Sequence, residues 1–290
     1  KPRGRMLIFW GCGEQAGAGQ PFVIDFAKLA QGQMPQGLAG RRVNVQSGPS
    51  FARSRTYGDW PNQRDSTRVS GEGSLRGEHV VKGTYSPDIR FSLSERYDFM
   101  EPVRLSMRRA GGAMNLSWQS IPNAHGYFAS AMGGSDRTQD VVFWSSSNTR
   151  EFGETLMNWL PPSEVARLVR ENVVMPPSST ECSVPAQFVA AAPSAFVRFI
   201  AYGEEANFVH PPRPQDPKID WNPEWAVKVR LKSTSAAMLG EDSMGAGDAP
   251  RSRGRAESGA PQEGVQKSAP SPAVDAVQEG LKALRGLFGR

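Results

Sequence analysis

His79, His125 and His210 are the side chains best suited to general acid–base or metal chemistry, and they stand far apart in the chain. A metal site needs several ligands that converge, and no spacing such as H-E-x-x-H brings two of these histidines together. A nucleophilic triad needs a histidine beside a hydroxyl and a carboxylate, and no G-x-S-x-G elbow occurs. Ser145-Ser146-Ser147 lies at the end of an expected strand, where hydroxyls commonly satisfy backbone groups. These residues therefore assign no catalytic residue, no metal ligand and no cofactor. An enzyme built on this chain would be a hydrolase with a loop-built site, drawing on residues 31–75 and one of the three histidines.

Gly11-Cys12-Gly13-x-x-Ala16 follows the apolar run Met6–Trp10 and spells part of a dinucleotide fingerprint. That fingerprint works by opening a helix whose N-terminus holds pyrophosphate. Gly17, Gly19 and Pro21 would break such a helix at once, so the stretch reads as a tight turn.

Aromatic residues offer a different chemistry. Trp221 and Trp225 bracket Asn222-Pro223-Glu224, and paired indoles either stack on a sugar or cap a core. With Trp60 they are the candidate ligand contacts of the folded body. His210-Pro-Pro-Arg-Pro214 just upstream is either a stiff connection between strands or a proline-rich partner motif. Near the C-terminus, Val274, Val277, Leu281, Leu284 and Phe288 recur at helical spacing, with Lys282 and Arg285 between them. Such a short amphipathic helix needs something to pack on. Val277, Leu281, Leu284 and Phe288 are accordingly candidate contacts to a partner protein, to the body, or weakly to a membrane surface.

Cys12 and Cys182 are too few for a zinc cluster but sufficient for one disulfide. Two buried thiols are the other reading. A bond would close most of the globular region into one loop, worth about 5 kcal/mol in the chain-entropy model. It would also fit an oxidising compartment.

The elements that must position these residues are mostly strands. Ile89, Phe91 and Leu93 alternate with polar neighbours, as do Val103, Leu105 and Met107, and again Trp225, Val227, Val229 and Leu231. Further strands are expected at Phe22–Phe26, His79–Lys82, Tyr127–Met132 and Val141–Trp144. Phe196–Tyr202 is apolar on both faces, as a central strand would be. Pro161-Pro162 starts one helix over 162–171, whose apolar face carries Val165, Leu168 and Val169. The expected class is mainly β and β-sandwich-like. The expected organisation is a β-rich unit over 1–110 with a long irregular segment at 31–75, then a sandwich-like unit over 111–240, set off by Gly111-Gly112. A disordered linker (241–273) and the amphipathic helix (274–290) follow.

The chain has 34 basic and 29 acidic residues in 290, a net charge of +5 without a basic run. That argues against a nucleic-acid partner. No apolar run is long enough to cross a bilayer as a helix. The chain begins at Lys1, so an export leader upstream is expected.

Leu116-Ser-Trp118-Gln-x-x-Pro-x-Ala124-x-Gly-Tyr127 resembles the second and third strands of fibronectin type III domains. In that family a strand tryptophan packs between sheets and a tyrosine begins the strand after the turn. More broadly, Met6–Glu14, Gly126–Gly133, Val142–Ser147, Ile200–Pro214 and Trp225–Ser233 resemble a family of uncharacterised bacterial cell-envelope proteins. This resemblance implies an exported protein of the periplasm or cell envelope and carries over no catalytic residue. The expected function is non-catalytic: a binding or scaffold protein whose partner is a protein or an envelope glycan. A carbohydrate-binding module at the cell wall and the loop-built hydrolase are the alternatives.

Overall fold

Strands in which both faces are apolar belong in the middle of a sheet, and Phe196–Tyr202 lies there. In the computed structural model, residues 4–33, 35–37, 42–60, 62, 69–84, 86–135, 138–151 and 153–239 are described. The expected linker (241–273) and terminal helix (274–290), with Val277, Leu281, Leu284 and Phe288, lie outside the described residues.

The main sheet has six strands. They are β1 (Arg5–Trp10), β2 (Phe22–Asp25), β7 (Gly126–Ser135), β8 (Asp140–Ser145), β10 (Phe196–His210) and β11 (Trp225–Met238), in the order β11-β10-β7-β8-β1-β2. All neighbours are antiparallel except β1 and β8, which run parallel from Met6↔Val141 to Trp10↔Ser145. A two-stranded ribbon joins β3 (Gly77–Val81) to β4 (Ile89–Leu93). A three-stranded sheet holds β5 (Ser106–Ala110), β6 (Ala113–Ser117) and β9 (Glu181–Val184) in the order β5-β6-β9.

The fold is mainly β, as the alternation predicts. The two sheets enclose one core. Trp118, just past β6, packs on Tyr127 of β7 and Phe199 of β10, with ring centroids 5.6 and 4.7 Å away. Val184 of β9 and Trp144 of β8 are buried in the same cluster. On the opposite face of the main sheet, Phe128, Ile200 and Tyr202 pack against Leu156 and against Val165 and Leu168 of helix α2 (Pro162–Arg170). Each fully buried side chain of that size contributes roughly 1.5–3 kcal/mol. Alternation explains the double burial: Tyr127 and Phe199 face one layer, Phe128 and Ile200 the other.

Several expectations need correction. The single inserted helix is joined by two shorter ones, α1 (Phe26–Leu29) and α3 (Ala186–Ala191). Phe26 therefore leaves the strand expected at 22–26: Asp25 caps α1 by accepting from the backbone of Ala27 and Lys28. The alternation at Val103, Leu105 and Met107 is real burial for the first two, but the strand begins only at Ser106. Val103 instead donates its N–H to the Ser233 side chain. Gly111-Gly112, read as a boundary, is the tight turn between β5 and β6, with φ of +55° and +89°. Strand pairing crosses residue 110 freely, since β1 and β2 complete the sheet made by the second half of the chain.

Cys12 and Cys182 form a disulfide across 170 residues. It ties the turn after β1 to β9, and so ties the two sheets together.

Candidate functional site

Strands β10 and β11 are far longer than their apolar cores. The β7 partner covers β10 only from Phe196 to Tyr202, yet β10 and β11 stay paired as far as His210↔Trp225. The result is an arm, residues 203–232, that outruns the sheet and ends in the loop 211–224.

Charge pairing holds the arm where apolar packing stops. A register shift between Tyr202 and Glu205 inserts Gly203 and Glu204 as a bulge. Gly203 is required there: a Cβ would meet the Leu231 carbonyl at 2.7 Å and the Met100 sulfur at 2.4 Å. Glu204 accepts from Arg96, 2.6 Å at its closest, and lies 3.2 Å from His125 Nε2 without hydrogen-bond geometry. Glu205 meets Arg230 at 2.8 Å and Lys228 at 3.3 Å. Burial pushes the Glu205 carboxyl up, but bonds from Arg230, Asn207 and Lys228 outweigh it and hold its pKa below the ordinary value. The Arg230 guanidinium also lies 4.4 Å from the Trp159 ring centroid and donates to Gln46.

Aromatic rings line the arm. Phe208 packs on Phe91 of β4 at 4.9 Å, and Phe91 stacks with His79 at 5.1 Å. His210 stacks on Trp225 at 5.5 Å with 17° between planes. In the terminal loop the Trp221 Nε1–H donates to the Pro211 carbonyl at 3.0 Å, and Arg213 sits 5.4 Å from the indole centroid. Trp221 is thus fixed in orientation while 36% exposed.

The structure brings Trp221 and Trp225 to one end of the hairpin. Trp60 is 51% exposed in the 42–60 loop, and among the described residues no ring contact joins it to the arm. The Pro-rich stretch 210–214 opens the loop between β10 and β11. Sequence reading missed His210, Phe208 and Arg213 as companions of the tryptophans. Phe208 and His210 continue the period of two, but Gly203-Glu204-Glu205 interrupts the apolar run and reads as a turn.

Other chemistry is sparser. His79 Nε2 lies 2.6 Å from the Leu75 carbonyl, His125 faces Glu204, and His210 stacks on Trp225. None of them meets a hydroxyl nucleophile together with a carboxylate among the described residues. No group of three His, Cys, Asp or Glu able to hold a metal occurs among the described residues. A polar hollow of about 280 Å³ opens at the carboxyl ends of β1 and β8, lined by Cys12, Ser146, Asn148, Asn172, Met175 and Glu181. It holds amides and one exposed carboxylate but no histidine.

Comparison with protein-family models, with curated proteins and with solved structures found no match.

Proposed function

We propose that the chain is a non-catalytic binding protein of the bacterial cell envelope that engages its ligand through the β10–β11 arm. The carrying observation is the end of that arm, where Trp221 is locked by Pro211, flanked by Arg213 and left open to solvent. An exposed indole in a fixed orientation loses little conformational entropy on contact, which favours it as an anchor. Two features support an envelope location: the resemblance of several blocks to envelope proteins, and the Cys12–Cys182 bond, which fits an oxidising compartment.

The glycan reading is favoured within this class. The free face of Trp221 suits the apolar face of a sugar ring, and the Arg213 guanidinium beside it can donate to hydroxyls.

The test is retention of the full chain on isolated cell envelopes, with Trp221→Ala as comparison. The variant should lose about tenfold or more in affinity, in the range seen when an interface anchor is truncated. Its thermal midpoint should stay close to that of the parent, because the ring is solvent-exposed. Equal retention of the two proteins would remove the arm from the account.

A further inference from the structure

We propose that β11 is a self-association edge, which pairs antiparallel with β11 of a second copy about a two-fold axis near Ser235. Among the described residues β11 has β10 on one side and no strand on the other.

Backbone direction makes this edge competent. Leu239 donates its N–H to the Ala195 carbonyl at 2.7 Å, in register with Phe196↔Met238. In an antiparallel ladder the hydrogen-bonding direction alternates residue by residue. Residues 239, 237, 235 and 233 therefore point inward to β10. Lys232, Thr234, Ala236 and Met238 point their N–H and C=O groups out, and all four are exposed.

Edge strands are normally blunted by brevity, charge, proline or a bulge. The other edge, β2, is four residues long, preceded by Pro21 and closed by α1. The arm half of β11 carries Lys228, Arg230 and Lys232 opposite the bulge. Ser233–Met238 has none of these devices: it reads Ser-Thr-Ser-Ala-Ala-Met, small side chains that allow another backbone to approach.

Charge selects both the partner and the register. An axis at Leu231 would set Arg230 opposite Lys232 of the second copy, and an axis at Arg230 would oppose that cation with itself. Like charges directly across a ladder are destabilising. An axis at Ser235 pairs residues 231–239 with themselves reversed: Thr234 faces Ala236, Ser233 faces Ala237 and Lys232 faces Met238. No cation then opposes another. Met238 and its register partner Phe196 are 39% and 42% exposed, and the stem of the facing Lys232 covers the methionine. A shallow trough of about 370 Å³, lined in part by Met157, Phe196, Thr234 and Ala236, runs along the same edge.

Such a pair joins two sheets into one and sends the two arms in opposite directions. Ten residues of strand separate Ser235 from Trp225, which places the arm ends about 70 Å apart. Two arms on one rigid body would bind a repeating surface with avidity.

The full chain with Ser235→Cys tests the pairing, because residue 235 would face its own copy at disulfide distance. Under mild oxidation it should run as a dimer on a non-reducing gel. Ala226→Cys, exposed on the same strand but nine residues from the axis, should not. Sedimentation of the parent should show a concentration-dependent dimer that Thr234→Lys weakens about tenfold, since the two introduced ammonium groups would lie diagonally across the axis from one another. A parent that sediments as a monomer at every concentration overturns the proposal, including when residues 240–290 or another peptide occupy the edge. So does equal crosslinking at 226 and 235.

Discussion

At the scale of single residues, the buried carboxylates organise the loops. Glu164 on α2 is 5% exposed. Arg167 donates to it along the helix, and the backbone N–H and side-chain amide of Asn44 donate at 3.0 and 3.1 Å. The long irregular segment after α1 is anchored at this point. The Arg167 bond, opposed by burial and reinforced by Asn44, lowers the Glu164 pKa from 4.5 to about 2. A folded-state pKa below the unfolded one stabilises the fold above the unfolded value, and that stability is lost as pH falls through the folded value. Glu164→Gln should therefore cost roughly 2–3 kcal/mol at neutral pH. The gap between parent and variant in urea midpoint should shrink as pH drops from 4.5 towards 2; a gap independent of pH would contradict the assignment. In the sequence, Arg167 could be paired with Glu171 one turn away, and that pair is present at 2.7 Å. Asn44 could not be foreseen, because a contact across 120 residues leaves no local pattern.

At the scale of elements, alternation located most strands and failed where another rule took over. Phe196–Tyr202 and Trp225–Lys232 were legible because their side chains alternate between a core and another surface. Their continuations were not. Residues 203–210 and 233–238 are held by ion pairs and by a ladder, and the sequence there is charged or small. The same holds for β9, four residues whose burial depends on β6. The disulfide acts at this scale too, by fixing the turn after β1 to β9. Closing a loop of 170 residues restrains the unfolded chain by about 5 kcal/mol. Replacing both cysteines by serine should lower the thermal midpoint by roughly 10–20 °C, at about 2–4 °C per kcal/mol for a body of this size. An unchanged midpoint would mean that the bond constrains little of the unfolded chain.

At the scale of the molecule, a mixed six-stranded sheet carries a smaller sheet on one face and α2 on the other. The β class was readable from composition and period. The division at residue 110 was not a feature of the fold, because a parallel pair such as β1–β8 joins segments that no local signal connects. The tryptophans at 221 and 225 were legible as a candidate site, but their setting was not: it depends on where a hairpin carries them. The claim on which the functional account rests is that this hairpin end touches the ligand. Amide hydrogen exchange of the full chain, with and without soluble peptidoglycan fragments, tests it most directly. The account predicts slowed exchange across 207–228 with little change in the core strands; no protection there, or protection confined to the hollow beside Cys12, would contradict it.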